Sequence, residues 1–319
     1  WEQVDVVPMP KEISLSGKVR ALDPQRFALV LGAKPLDSSR TGADWINRRL
    51  VKMGGAPLPI VSVADELAAA VTPIYLGTKD DNARIAEAVS AGVLNVGEAN
   101  PGVRGYEIRF AVDGPIYLGG ADAIGALYAS VTFGELLQRD VQGFPGIPEA
   151  DVRDWPDIQY LFVLEMEPPS DAKKSPDSPE ARKAYLEKLS VMYDGMLRRK
   201  LSMVWYKPLM WGDTAFRDMS PYARETVRLG IEAGKALGIS ALYYHLSPFV
   251  GLRSDHPDAD PDLLEQKPKA RYDHWLQSWS MDEERKAYAA ELARWIKETG
   301  FTDVGFHDTD TGGYLNPAN

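Results

Sequence analysis

Leu201-Ser-Met-Val-Trp-Tyr206 is a short apolar run preceded by a long stretch with helical spacing, and the same order recurs through the second half of the chain. Tyr160-Leu-Phe-Val-Leu-Glu165 reads as a buried strand and Pro179 to Arg199 as an amphipathic helix. Pro221 to Leu237 reads as a second helix, Ile239-Ser-Ala-Leu-Tyr-Tyr-His245 as a third strand, Met281 to Thr299 as a third helix and Asp303-Val-Gly-Phe-His307 as a fourth strand. Continuously apolar strands separated by helices pair in parallel under helical cover. The fold class is therefore α/β, with the opening of a TIM-type (β/α) barrel in this half.

Upstream of it the rhythm is different. Phe27-Ala-Leu-Val-Leu31 is a strand closed by Gly32, and Trp45 to Met53 has helical spacing and stops at Gly54-Gly55. Pro59 to Val63 and Pro73 to Gly77 are further strands, and Arg84 to Ala91 is a short helix. Tyr106 to Val112 alternates with period two, Asp113-Gly114 signals a hairpin, and Ile116-Tyr-Leu-Gly119 returns antiparallel. Asp122 is placed to cap a helix from Ala123 to Gln138 whose apolar face carries Ile124, Leu127, Tyr128, Val131 and Leu136. One mixed sheet with helices packed on it accounts for this segment. Gly143-Phe-Pro-Gly-Ile-Pro148 is rich in residues that end regular structure, so a break and a domain boundary are expected near residue 150.

Composition narrows the function. The chain has 319 residues, 45% of them apolar, enough for a buried core and more than one domain. Thirty-six Lys+Arg against forty-six Asp+Glu give a net charge of -10, which repels phosphate backbones, so nucleic acid is not an expected partner. The absence of cysteine removes thiolate nucleophiles, disulfides and Cys-ligated metals. No apolar stretch is long enough for a membrane helix, so no membrane partner is expected either. The chain begins Trp1-Glu2-Gln3 without an initiator Met, which implies an upstream piece removed as a secretory signal or by trimming; the first gives a secreted or periplasmic protein.

Several stretches together resemble a known family. Val7-Pro-Met-Pro-Lys-Glu-Ile13, Gly105-Tyr-Glu-Ile-Arg109, the hairpin at Asp113-Gly-Pro-Ile-Tyr-Leu118 and Gly120-Ala-Asp-Ala-Ile-Gly-Ala-Leu-Tyr-Ala-Ser-Val-Thr-Phe-Gly-Glu-Leu-Leu-Gln138 are similar to the non-catalytic α/β domain that precedes the barrel in glycoside hydrolase family 20, the β-N-acetylhexosaminidases. Val152-Arg-Asp-Trp-Pro156 resembles that family's crossing into its barrel, and the likeness covers most of residues 1–165. Similar leading domains precede the barrels of families 67 and 84. The resemblance implies a hexosaminidase-like α/β sandwich domain over 1–150, followed over 151–319 by the first four βα units of a catalytic barrel acting on a carbohydrate substrate.

The barrel half departs from the family pattern. Leu164-Glu165 stands where the family has Leu-Asp, but the sugar-gripping arginine that follows there is replaced by Met166-Glu-Pro-Pro169. Lys200 to Lys207 resembles the second-strand pattern with Lys207 at a histidine's position, and Phe306-His-Asp-Thr-Asp310 stands where the family carries Gly-Gly-Asp-Glu. In the substrate-assisted reaction that the resemblance implies, the acetamido oxygen attacks the anomeric carbon. One carboxylate orients the acetamide and one acid protonates the leaving oxygen. Asp308 and Asp310 are the candidates, two apart at a strand's C-terminal end where like-charge repulsion could raise one pKa. With Gly312-Gly313 they would equally make a good turn.

Glu165, Lys207, His245, His307, Trp205 and Trp275 are the candidate substrate contacts. Glu165 could hold a hydroxyl or pair with Lys207, and the histidines and tryptophans are alternatively core residues. Trp275 lies in a connection of about 35 residues, Leu246 to Ser280, long enough to carry function. Asp308-Thr-Asp310-Thr-Gly312 resembles the start of a calcium loop but lacks the later bidentate Glu, so neither metal nor cofactor is expected. Eight βα units need about 250 residues, so four predict either further chain after Asn319 or completion by a second copy.

Overall fold

The structure, a computed structural model, describes residues 6–139, 145–158, 162–166, 178–206, 220–245 and 296–306, with positions 286, 290, 293 and 294. It divides into two compact units: Trp1–Leu161 with Met192–Ser202 and Ala236–Gly238, and Phe162–Val191 with Met203–Lys235 and Ile239–Asn319.

The first unit is built on one mixed sheet. Its strands are β1 (Glu12–Ala21), β2 (Phe27–Leu31), β3 (Ile60–Ser62), β4 (Thr72–Thr78), β5 (Tyr106–Phe110), β6 (Ile116–Gly120), β7 (Gln138–Arg139) and β8 (Pro145–Asp154). They lie in the order β1-β8-β5-β6-β4-β2-β3, with β7 paired to β8. The β3-β2-β4-β6 half is parallel, while β5 pairs antiparallel with β6 and β8, and β1 with β8. β2, paired on both sides by parallel strands, is a five-residue apolar run buried along its whole length. The helices are α1 (Asp37–Lys52), α2 (Ala83–Ser90) and α3 (Ala123–Leu136). Asp122 caps α3 by accepting from the Gly125 amide at 2.7 Å, and Asn82 caps α2 by accepting from the Arg84 amide at 3.0 Å.

The structure corrects two expectations. The Gly/Pro-rich segment expected to break regular structure contains the start of β8, a ten-residue strand. Pro148 is tolerated because β8 pairs there with β1 alone, opposite Val19 and beside a register shift between Leu15 and Val19, while β5 engages β8 only from Val152 to Asp154. α3 does not present one apolar face. From Gly125 to Phe133 every residue is buried, with both the sheet and α1 packed against the helix. Small residues allow that approach: a β-carbon on Gly42 of α1 would lie 2.4 Å from Ser130 Oγ of α3.

The second unit holds β9 (Phe162–Met166), β10 (Met203–Tyr206), β11 (Ser240–His245) and β12 (Asp303–Phe306), all parallel and adjacent in chain order. α4 (Pro179–Arg198) joins β9 to β10, and α5 (Pro221–Ala236) joins β10 to β11. The described positions between 286 and 299 are also helical. Strands added one after another on the same side, each through a helix, are the opening of a (β/α) barrel. Val204 and Ala241 are almost fully buried. Arg182 of α4 ties the two helices by donating to Thr226 Oγ1 at 2.8 Å and to the Tyr222 carbonyl at 3.0 Å, with its guanidinium 3.6 Å from the Tyr222 ring centroid.

Candidate functional site

In parallel βα architectures, side chains that meet a ligand come from the carboxyl ends of the strands and the loops that follow. Register sets that edge in one step across the second unit: Met166, Tyr206 and Tyr243 stand side by side, and β11 and β12 run two residues further, to His245 opposite Phe306. Glu165 is the penultimate residue of β9, Trp205 the penultimate residue of β10 and His245 the last of β11. The backbone therefore brings these three expected positions to one edge of one sheet. Lys207, Trp275, His307, Asp308 and Asp310 lie outside the described residues. Among the described residues no group of three acidic or histidine side chains is placed to hold a metal ion. No helix among them is long and apolar enough to cross a membrane.

The first unit carries a buried polar cluster that residue pattern alone does not single out. Lys200 Nζ donates to Asp154 Oδ2 and to Tyr106 Oη, both at 2.7 Å. The Tyr106 hydroxyl donates to Asp154 Oδ2 at 3.0 Å and lies 2.7 Å from Thr132 Oγ1, while the Lys11 amide donates to Asp154 Oδ1 at 3.3 Å. The tyrosine oxygen thus accepts from Lys200 and Thr132 and donates to the carboxylate, so the phenol's one donor and two acceptor sites are all used. Burial, then the neighbouring Asp154 charge, push the Tyr106 phenol well above its ordinary range. Burial lowers the Lys200 pKa against the opposing pull of Asp154.

A second network crosses the same sheet. Glu107 is fully buried and accepts from the Asn95 amide at 2.8 Å, with Arg153 Nε 3.0 Å from its carboxylate and Arg109 Nε at 3.6 Å. Two cations and an amide offset the cost of burying that carboxylate. At the ends of β2 and β4, Asp81 accepts from the Thr78 amide and hydroxyl at 2.5 and 2.9 Å, and from Ser39 Oγ at 3.0 Å and the Leu36 amide at 3.3 Å. That crevice is the topological switch point of the parallel half, where α/β sheets commonly bind ligands, and there the chain's own carboxylate takes its donors.

No family model matches the chain, and no curated protein matches it in sequence. Solved structures match in fold. The Flavobacterium johnsoniae chitobiase FjGH20 is similar with a TM-score of 0.59 at 13% identity, covering 96% of this chain and 44% of that one. CpGH84B gives 0.57 at 10% identity over 95% of this chain and 43% of that one. An inactive variant of the GH20 exo-β-N-acetylglucosaminidase from Vibrio harveyi gives 0.53 at 11% identity, over 93% of this chain and 50% of that one. The fold is thus a hexosaminidase-like α/β domain followed by a partial TIM-type barrel, the architecture seen in GH20 and GH84 glycoside hydrolases. The chain spans half or less of the length of these structures.

Proposed function

We propose that this protein is a glycoside hydrolase acting on N-acetylhexosamine-containing or related glycans through a retaining, substrate-assisted reaction. The observation that carries the reading is positional. Asp308 and Asp310 follow β12 within four residues in sequence, and β12 ends level with β11 at the edge where barrel enzymes assemble their sites. In the first step the acetamido oxygen bonds to the anomeric carbon as the glycosidic bond breaks. One aspartic acid gives its proton to the leaving oxygen and the other carboxylate orients the acetamide. Water then opens the cyclic intermediate, returning the proton to the first. Glu165, Lys207, His245 and His307 would meet hydroxyls, and Trp205 and Trp275 would stack on the ring.

The test is release of nitrophenol from nitrophenyl N-acetylglucosaminide by the intact natural protein. Asp308→Asn or Asp310→Asn should lower kcat by roughly a hundredfold or more, the range for loss of a general acid. Turnover unaffected by both substitutions would overturn the assignment. A second reading, a non-catalytic glycan-binding or scaffold protein derived from such an enzyme, is favoured by two features: Phe306-His-Asp-Thr-Asp310 stands where the family carries Gly-Gly-Asp-Glu, and Met166-Glu-Pro-Pro169 replaces the sugar-gripping arginine after the first strand. It predicts sugar binding without hydrolysis.

A further inference from the structure

Four helix ends are followed by a left-handed glycine, and α4 puts a lysine in that place. α1, α2 and α5 each close with the second residue past the helix in the left-handed region, at Gly54 (φ 86°), Gly92 (φ 71°) and Gly238 (φ 71°), and Gly300 (φ 78°) follows the helical residues before it. Two of these ends carry the paired capping bonds: Gly54 and Gly92 donate to the Val51 and Val89 carbonyls, and Gly55 and Val93 donate to the Leu50 and Ala88 carbonyls. α4 closes with the same bonds, Lys200 to the Leu197 carbonyl at 3.0 Å and Leu201 to the Met196 carbonyl at 2.9 Å. There the left-handed residue is Lys200, at φ 54°. A β-carbon is disfavoured in this conformation, so a lysine stands there at a steric cost that glycine avoids.

The side chain explains the exception. It runs into the buried cluster of Asp154 on β8, Tyr106 on β5 and Thr132 on α3, and is only 11% exposed. Leu197, one turn earlier, is fully buried in the core of the same unit. We propose that Lys200 is a positioning anchor. Its ammonium holds the last two turns of α4 and the turn after them, Met192–Ser202, on the sheet of the first unit, three residues before β10 begins. The left-handed backbone is what aims this cation at Asp154 and Tyr106.

Lys200→Gly separates the two explanations, because glycine is the better residue for the backbone and has nothing to offer the cluster. Thermal unfolding is measured together with hydrogen exchange of the intact protein, followed by mass spectrometry over peptides spanning residues 192–206. An anchor predicts a lower Tm and exchange at least about tenfold faster across residues 196–206, with α1 and α2 unchanged. A variant as stable as the parent or more so, with unchanged exchange in that segment, would leave Lys200 a mere helix end and overturn the proposal. Should Lys200→Gly yield no folded protein, Lys200→Met combined with Asp154→Leu removes the buried charge from both sides. Faster exchange confined to 196–206 in that double variant supports the anchor, and unchanged exchange overturns it.

Discussion

Replacing Tyr106 by Phe removes one oxygen that is bonded to three other side chains and leaves the ring in place. That oxygen accepts from Lys200 at 2.7 Å, lies 2.7 Å from Thr132 Oγ1 and donates to Asp154 at 3.0 Å. Bonds to charged groups contribute roughly 1.5 to 3 kcal/mol each and a neutral pair about 1 kcal/mol, while Lys200 keeps its direct bond to Asp154 in the variant. The expected loss is about 2 to 4 kcal/mol at pH 7, read by urea unfolding. The same substitution carries a pH signature. The folded phenol is held well above its ordinary value by burial and Asp154, so the unfolded tyrosine loses its proton first. Its contribution is complete below about pH 10 and declines as pH rises beyond it, by up to about 1.4 kcal/mol per pH unit. Lys200 works in the opposite sense. Its folded pKa is lowered, so its contribution grows as pH rises from that lowered value toward the unfolded one, and its direct bond to Asp154 is kept in both proteins. The difference between parent and Tyr106→Phe should therefore shrink above about pH 10, where the unfolded tyrosine begins to lose its proton. A loss below about 0.5 kcal/mol, or a difference independent of pH up to about 11.5, would refute this bonding scheme for the cluster.

Two further substitutions test the packing that positions the first unit. Gly42→Ala sets a β-carbon 2.4 Å from Ser130 Oγ and 2.9 Å from Ser130 Cβ, so α1 must shift off α3; a loss of about 1 to 3 kcal/mol is expected in chemical denaturation, largely recovered by adding Ser130→Gly. Asn82→Ala removes the α2 cap and the amide that donates to the Val30 carbonyl at 3.1 Å and the Leu76 carbonyl at 3.0 Å. Its fully buried position makes a loss of about 2 to 4 kcal/mol the expected result, and a Tm within about a degree of the parent would sink the assigned role.

Local pattern is a good guide wherever a neighbour within four residues decides the outcome. Phe27–Leu31 is the strand its unbroken apolar run predicts, Tyr106–Phe110 and Ile116–Gly120 form the antiparallel hairpin around Asp113-Gly114, and Asp122 caps α3 as its place before the apolar run implies. The parallel strands of the second unit follow from the same rules, with boundaries moved by one or two residues. The candidate positions Glu165, Trp205 and His245 could be assigned to strand ends for that reason, since a strand's end is a local property.

What local pattern misses depends on partners far along the chain. Gly143-Phe-Pro-Gly-Ile-Pro148 reads as a break from its own residues, yet β8 begins at Pro145 because β1, more than a hundred residues earlier, supplies the ladder and the position of Pro148 is unpaired on its other side. β1 itself is an edge strand exposed along most of its length, with no apolar run to announce it. Lys200 shows the limit most plainly. Residues and spacing alone determined that a helix ends near Arg199, because helical periodicity and its termination are written within one turn. Only the folded sheet decided that a lysine should close it, since Tyr106 and Asp154 lie 94 and 46 residues away and a buried ammonium is stable only where such partners already stand.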